Sequence, residues 1–245
     1  MARIELRNCT VRLKDGLSGV GALTASPPSA TDTDLDIDTI VLNTADTDLV
    51  PVGARFTVAG ETTATTVHTV TARTPASSSP TTNIVFTPAL GAGTYVNDGV
   101  VTFLPQQIDI KVGDGEIKYT EATEYKYDKD RGNLDTVREG DEVPMDVSMN
   151  FTFEHVKTGT SEAITPIDAI KGINSASGWF SSSSDQCEPY AVDVEIVHAP
   201  PCGSVASETI LFPDFRAEKR DYDFKNATIA VSGKCNATEP MITRG

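Results

Sequence analysis

Alternation with a period of two dominates the chain. Between Val143 and Val156 the apolar residues are Val143, Met145, Val147, Met149, Phe151 and Phe153, and the polar residues Asp146, Ser148, Asn150, Thr152 and Glu154 fall between them. Successive side chains of a strand point to opposite faces, so this pattern predicts an antiparallel strand with one face on a core and one in water. Tyr190–Ile196 repeats it, with Tyr190, Val192, Val194 and Ile196 inward and Asp193 and Glu195 outward. Gln107–Val112 sets Ile108, Ile110 and Val112 against Asp109 and Lys111. Gly113-Asp114-Gly115 follows, then Ile117 and Tyr119, which together predict a hairpin. Further strands are expected over Thr209–Phe212 and Ala227–Cys235. The first strand, Ile4 to Leu13, changes phase near Asn8, which predicts a bulge.

One stretch reads as a helix. Thr165-Pro166-Ile167-Asp168 supplies an N-cap, a proline at the first helical position and an acid in the first turn. Ile167, Ala169 and Ile170 give an apolar side, and Gly172 stops the helix. The expected fold class is therefore mainly β, a β-sandwich or barrel with one short flanking α-helix.

Composition changes between Gly16 and Pro105. This stretch holds eight acids against two bases and is rich in Thr, Ala, Val and Gly. Short strands are expected at Leu35–Leu42, Val52–Ala59, Thr66–Ala72, Ile84–Phe86 and Gly99–Phe103, separated by turn residues. A structureless loop of this length is rare in a compact domain. The reading is a small all-β domain, residues 17–104, inserted into a discontinuous main domain of residues 1–16 and 105–245.

Charge narrows the function. The chain has 245 residues and a formal net charge of −15. Nucleic-acid binders need clustered Lys and Arg to displace counterions, and this balance repels phosphates instead. No run reaches the roughly 20 apolar residues that span a bilayer, so no membrane association is expected. The N-terminus mixes charged and apolar residues from the start, without a secretory apolar core, so synthesis in the cytoplasm is expected.

Catalytic and metal signals are weak. No Gly-x-Ser-x-Gly elbow or Walker A motif occurs, and Gly19-Val-Gly21-Ala-Leu-Thr24 lacks the third glycine of a dinucleotide loop. Asp32-Thr-Asp34-Leu-Asp36-Ile-Asp38 has Ile37 where a calcium loop needs Gly and Asn43 where it needs Glu, so it reads as the wet face of a strand. Cys187, Cys202, Cys235 and His198 are soft ligands without a zinc-knuckle spacing. The open alternatives for the thiols are a Cys187–Cys202 disulfide or reduced, mostly buried side chains. The expectation is no enzyme, no cofactor and no metal.

Two segments mix both signs of charge and read as loops. One is Asp128–Asp141, with Asp128, Asp130, Arg131, Asp135, Arg138, Glu139 and Asp141, and the other is Asp214–Asp223. They read either as solvated loops or as complementary edges between identical subunits, where mixed charge fixes register.

The run Ile108-Asp-Ile-Lys-Val-Gly-Asp-Gly-Glu resembles the tail tube (major tail) proteins of long-tailed bacteriophages. So do Asp130-Arg-Gly-Asn-Leu-Asp-Thr-Val-Arg-Glu-Gly-Asp-Glu-Val-Pro-Met-Asp-Val-Ser, Pro213-Asp-Phe-Arg-Ala-Glu-Lys-Arg-Asp-Tyr-Asp and Val231-Ser-Gly-Lys-Cys-Asn-Ala-Thr-Glu-Pro240. The helix Thr165-Pro-Ile-Asp-Ala-Ile-Lys-Gly, followed by Gly178-Trp-Phe, fits the same picture. The resemblance covers residues 1–16 and about 105–245. It implies a structural virion protein, located in the phage tail, that forms hexameric rings stacked into a hollow tube. Its partners would be further copies of itself and other tail proteins, with DNA passing through without specific binding. Asp146, Ser148, Asn150, Thr152 and Glu154 would then face the lumen, with Asp109, Lys111, Glu116 and Lys118 as further candidates. The Asp128–Asp141 loop would set the register between rings, and the insert would project outward. The alternative from a different class is a surface-binding module, an adhesin-like or carbohydrate-binding β-sandwich.

Overall fold

The computed structural model describes residues 9–24, 28–43, 50–63, 66–75, 82–110, 116–152, 157–158, 161–162, 164–183, 185, 187–198 and 207–244. The chain is mainly β, with one short α-helix. In chain order the strands are β1 (Cys9–Lys14), β2 (Gly19–Leu23), β3 (Asp34–Leu42), β4 (Arg55–Val58), β5 (His68–Pro75), β6 (Thr82–Thr87), β7 (Val100–Leu104), β8 (Gln107–Ile110) and β9 (Ile117–Thr120). They continue with β10 (Tyr125–Asp130), β11 (Asn133–Glu139), β12 (Asp146–Thr152), β13 (Lys157–Thr158), β14 (Ser161–Glu162), β15 (Val192–His198), β16 (Glu208–Asp223), β17 (Thr228–Lys234) and β18 (Met241–Arg244). The helix α1 spans Pro166–Lys171. Among the described residues no helix is long and apolar enough to cross a membrane.

The chain divides into two compact units. The first contains residues 1–14, 108–171 and 189–245, and the second residues 15–107 and 172–188. The second unit thus takes in Gly172–Glu188 as well as the stretch between β1 and β8.

The first unit is built on one continuous strand path, β8-β1-β15-β16-β17-β12-β9, with β18 added against β16. A flat path of this width spans six inter-strand gaps, about 29 Å at 4.8 Å each. Its two ends are joined through the chain between Ile110 and Ile117, which can reach at most roughly 25 Å. The sheet therefore cannot be flat. It turns within β16, whose first half pairs with β15 and β18 and whose second half pairs with β17. The turn is a bulge at Pro213-Asp214, where the register against β15 shifts and Asp214 has φ 51°. Proline has no N–H to give the ladder, so a bulge suits it. The displaced Asp214 N–H instead donates to Asp193 Oδ1 at 2.9 Å.

The same topology corrects two expectations. The strands on either side of Gly113–Gly115 do not pair as a hairpin: β8 joins β1, and β9 joins β12. Pairing Ile117 with Met149 and Tyr119 with Val147 continues the apolar column of β12, which a local hairpin would leave unpaired. Glu195, expected to face water, is buried, because Lys14 and Arg12 of the adjacent strand both reach its carboxylate. The expected bulge at Asn8 lies outside the described residues.

Strand β12, paired on both sides by β17 and β9, keeps its alternation. Val147, Met149 and Phe151 are buried, Asp146 and Ser148 exposed, Asn150 and Thr152 half-buried. Sliding it by one residue would expose those three apolar side chains, a loss of roughly 5–9 kcal/mol at 1.5–3 kcal/mol each. Beside the sheet, Thr165 caps α1 through Oγ1, which accepts from the Asp168 N–H at 3.2 Å, and Gly172 leaves the helix at φ 61°. Ile167, Ala169 and Ile170 are its buried side.

The second unit is a closed six-stranded barrel, β2-β3-β6-β5-β4-β7. Closure removes every free edge. Phe56, Phe86 and Phe103 pack at its centre with Leu35, Ile37, Ile84 and Val101. Strand β2 has no counterpart among the expected elements. Its glycines serve packing: a Cβ on Gly21 would sit 2.6 Å from the Ile37 side chain. The acidic run is the wet side of β3, as expected: Leu35 and Ile37 are buried between the exposed Asp34 and Asp36, and Asp36 accepts from Asn83 Nδ2 at 2.9 Å.

Candidate functional site

The polar face of β9-β12-β17-β16 carries the residues expected to line a lumen. Inter-strand register sets Thr120, Asp146, Lys234 and Arg216 in one row, and Lys118, Ser148, Ser232 and Lys219 in the next. Asn150, Ala230 and Asp221 form a third row, and Thr152, Thr228 and Asp223 a fourth. Glu116 enters beside Asn150, whose N–H donates to the Glu116 carbonyl at 2.9 Å. Four of the five candidate residues, Asp146, Ser148, Asn150 and Thr152, therefore share a face with Glu116 and Lys118. Glu154 and Lys111 lie outside the described residues. Asp109 stands elsewhere, on β8, where it pairs with Arg12 of β1 at 3.0 Å.

This face is compensated rather than acidic. Lys118 meets Glu116 at 2.8 Å, Lys219 meets Asp221 at 2.6 Å and Lys234 lies 4.0 Å from Asp146. A shallow groove crosses it between Glu116, Lys118, Ser148, Asn150, Asp221 and Ser232. Solvent-exposed pairs of this kind are worth about 0–1 kcal/mol each, so they set local charge more than stability.

The mixed-charge segment after β9 is not a loop. It is an antiparallel ribbon, β10 paired with β11, closed by a tight turn at Arg131-Gly132, with φ 49° and 88°. A bulge places Asp135 out of register. Phase divides the ribbon into two faces. Tyr125, Tyr127, Leu134 and Val137 fall on one, with Lys129 and Glu139. Lys126, Asp128, Asp130, Asn133, Thr136 and Arg138 fall on the other. Arg138 pairs with Asp128, and Lys126 with Asp141 at 3.2 Å. Both faces are open: Tyr127 is 58% exposed and Leu134 67%. The charged segment Asp214–Asp223 is likewise strand, the second half of β16. Its charges follow from one side of that half facing water, which hides its pairing from a pattern search.

The thiols differ in setting. Cys187 is free and exposed, Cys9 half-buried and Cys235 buried. Cys202 lies outside the described residues, so its pairing with Cys187 is not placed, and Cys187 departs from the expected buried state. Burial, with smaller contributions from Asp193 and Asp214, pushes the Cys235 thiol up to about 12. Among the described residues no group of three or more His, Cys, Asp or Glu side chains could hold a metal ion.

Two polar clusters in the second unit carry no usable sequence signal. Asp15 is fully buried. Its Oδ1 accepts from Gln106 N at 2.7 Å and Leu17 N at 3.2 Å, and its Oδ2 from Phe180 N at 3.3 Å. Glu61 and His68 form a buried pair inside the barrel. Gln106 and Phe180 reach Asp15, and Pro88 and Gly91 reach the Glu61–His68 pair, from 20 to 165 residues away, so no local motif marks these clusters.

Comparison with protein-family models, curated proteins and solved structures returns no match.

Proposed function

We propose that the chain is a tail tube subunit of a long-tailed bacteriophage: a structural protein that closes into rings, which stack into a hollow conduit for DNA. The observation that carries this reading is the β10–β11 ribbon. A two-stranded hairpin is at best marginally stable alone in water. This one also exposes Tyr125, Tyr127, Leu134 and Val137 together on one face. Such a face needs a cover, and aromatic side chains with mixed charge beside them are the composition of a protein contact. The ribbon leaves from the end of the sheet where β9 ends and β12 begins, and its strands are about 20 Å long. It is an arm suited to reach a neighbouring copy. Arg131 at its tip and the Asp128–Arg138 pair on its charged face would then fix register rather than supply affinity.

The compensated sheet face suits a bore. Lysines already engaged by Glu116, Asp146 and Asp221 offer phosphates little counterion-release gain, and the chain's overall charge opposes retention. A hexameric ring at −15 per copy would carry −90. Ring closure must therefore rest on apolar contact and main-chain pairing, with ion pairs as guides.

Negative-stain microscopy of the purified chain tests the reading. Rings or hollow tubes are expected from the wild type. Replacing Tyr125–Glu139 by a short glycine turn, or reversing Arg131 and Arg138 to Glu, should leave folded subunits that no longer stack. Isolated particles from the wild type at every concentration would overturn the proposal and favour a monomeric surface-binding module.

A further inference from the structure

The β16–β17 turn and the cleft beside Pro144 lie at opposite ends of one layer. β12 and β17 run antiparallel, with Asp146 opposite Lys234 and Thr152 opposite Thr228. The turn Phe224–Ala227 therefore caps the Thr152 end, and Pro144 and Asn236 cap the other. Six residue steps between Thr228 and Lys234 separate them by about 20 Å.

The turn is rigid and aromatic. Asp223 Oδ1 accepts from the Lys225 and Asn226 N–H groups at 3.0 and 3.2 Å, and Oδ2 accepts from Asn226 Nδ2 at 2.6 Å. Phe224 stacks on Tyr222, with centroids 6.3 Å apart and ring planes 12° apart, yet presents 81% of its surface. Lys171 of α1 lies over Tyr222 at 5.8 Å, and Lys225 follows Phe224 directly. This end of the layer is aromatic and sets two lysines, Lys171 and Lys225, against one carboxylate, that of Asp223.

The far end is a cleft of about 380 Å³ lined by Glu142, Pro144, Asn236, Ala237, Thr238 and Glu239. The lining residue Ala237 is held in place by the Met145 N–H, which donates to its carbonyl at 2.8 Å, while the Cys235 N–H donates to the Met145 carbonyl at 2.9 Å. A cavity of about 150 Å³ is enough to hold a benzene ring, so this cleft has room for a phenyl side chain. Its two charged residues, Glu142 and Glu239, are both acidic and exposed.

We propose that Phe224 of one copy seats in the Pro144–Ala237 cleft of the next, with Lys225 and Lys171 facing Glu142 and Glu239. The inference rests on the self-assembly reading and deepens it by naming a pair of complementary surfaces. Those surfaces differ, so the contact is head-to-tail and repeats along the strand direction, whereas a two-fold contact would stop at a dimer. It brings opposite signs together in a chain that is otherwise self-repelling. A rigid aromatic in a cleft ringed by charge is also the usual form of an interface anchor.

The test uses the full-length chain, with assembly followed by sedimentation and electron microscopy. Phe224→Ser should raise the concentration needed for assembly about tenfold or more, as should the pair Glu142→Lys and Glu239→Lys. Adding Lys225→Glu to that pair should recover part of the loss. A photocrosslinking residue at position 224 should capture the Glu142–Glu239 segment of a second chain, identified by mixing chains of different isotope mass. Circular dichroism establishes that each variant is folded. Normal assembly of both variants, or a crosslink that maps elsewhere, overturns this contact while leaving the self-assembly reading standing. A wild-type chain that never assembles overturns both.

Discussion

His68 Nε2 lies 3.1 Å from Glu61 Oε2 in the barrel interior, with both side chains buried. His68 Nδ1 faces the Pro88 carbonyl at 2.8 Å. A carbonyl only accepts, so Nδ1 carries a proton. The contact at Nε2 needs a second proton, held by the imidazole or by the carboxyl. The pair is thus neutral as a unit in either form. Glu61 Oε1 accepts from Gly91 N at 2.6 Å, and the rings of Phe56 and Phe86 pack on the imidazole.

His68→Phe would leave Glu61 as a buried carboxyl without its partner, and removing one member of such a pair costs roughly 3–5 kcal/mol. Glu61→Gln should cost only about 1 kcal/mol, because the amide can donate to Nε2 and still accept from Gly91. The chain's single tryptophan, Trp179, belongs to the same unit and is buried. Its fluorescence during denaturant unfolding reads both variants. Equal losses for the two would refute the proton assignment.

Asp15 makes a second prediction. It holds N–H groups from Gln106, Leu17 and Phe180, and the Asp15 N–H in turn donates to the Gln106 carbonyl at 3.0 Å. Asp15→Asn keeps one accepting oxygen but turns an N–H₂ group toward the Phe180 N–H. The expected loss is about 1–3 kcal/mol, the range for a buried donor left unsatisfied. Asp15→Ala, which removes every acceptor, should lose more. Trp179, adjacent to Phe180, should report both changes.

Where alternation meets a core, the sequence is readable. Val147, Met149 and Phe151 lie under a wet face of Asp146 and Ser148, and Thr165, Pro166 and Gly172 mark the ends of the helix. Where a strand has no core on either face, the signal vanishes. β10 and β11 carry charges on both faces and solvent on both, so they read as a loop. The second half of β16 is obscured the same way, and its bulge at Pro213-Asp214 breaks the phase further. The hairpin expected around Gly113–Gly115 fails because β9 completes the column of β12, a preference set by a strand about thirty residues away. Glu61 and His68 stand only seven residues apart, but their burial in the barrel, like the reach of Asp15 to Gln106 and Phe180, is set by topology that no motif announces.

Cysteine reactivity should separate along lines of burial. Cys187, free and exposed, should alkylate readily near pH 8, whereas Cys235 should stay unmodified until the chain unfolds. The raised Cys235 pKa also fixes a sign. The folded state holds this proton up to about 12 and the unfolded chain releases it near 9. Its contribution to stability is therefore complete below pH 9 and is lost progressively as pH rises toward 12. Cys235→Ala should flatten that alkaline decline in an unfolding series. Mass mapping of alkylated peptides checks the first expectation, and labelling of folded Cys235 at pH 8 would contradict it.

The division into two units changes how the insertion must be tested. Excising residues 17–104 alone would strand Gly172–Glu188, which belongs to the barrel unit and packs Phe180 against the barrel's apolar core. Such a deletion would strip that core from Phe180, and the variant should aggregate. Both junctions in the first unit are short gaps. Arg12 Nε lies 3.0 Å from Asp109 Oδ1 across the first, and the Tyr190 hydroxyl donates to the Ala169 carbonyl at 2.9 Å across the second. Replacing Asp15–Gln107 and Gly172–Glu188 by one short turn each should therefore preserve the strand path from β8 to β9. If the full chain assembles as proposed and the barrel is outer decoration, the doubly shortened chain assembles too. Circular dichroism and electron microscopy of the two deletion variants decide the point: a doubly shortened chain that folds but never assembles would make the barrel part of the assembly contact itself.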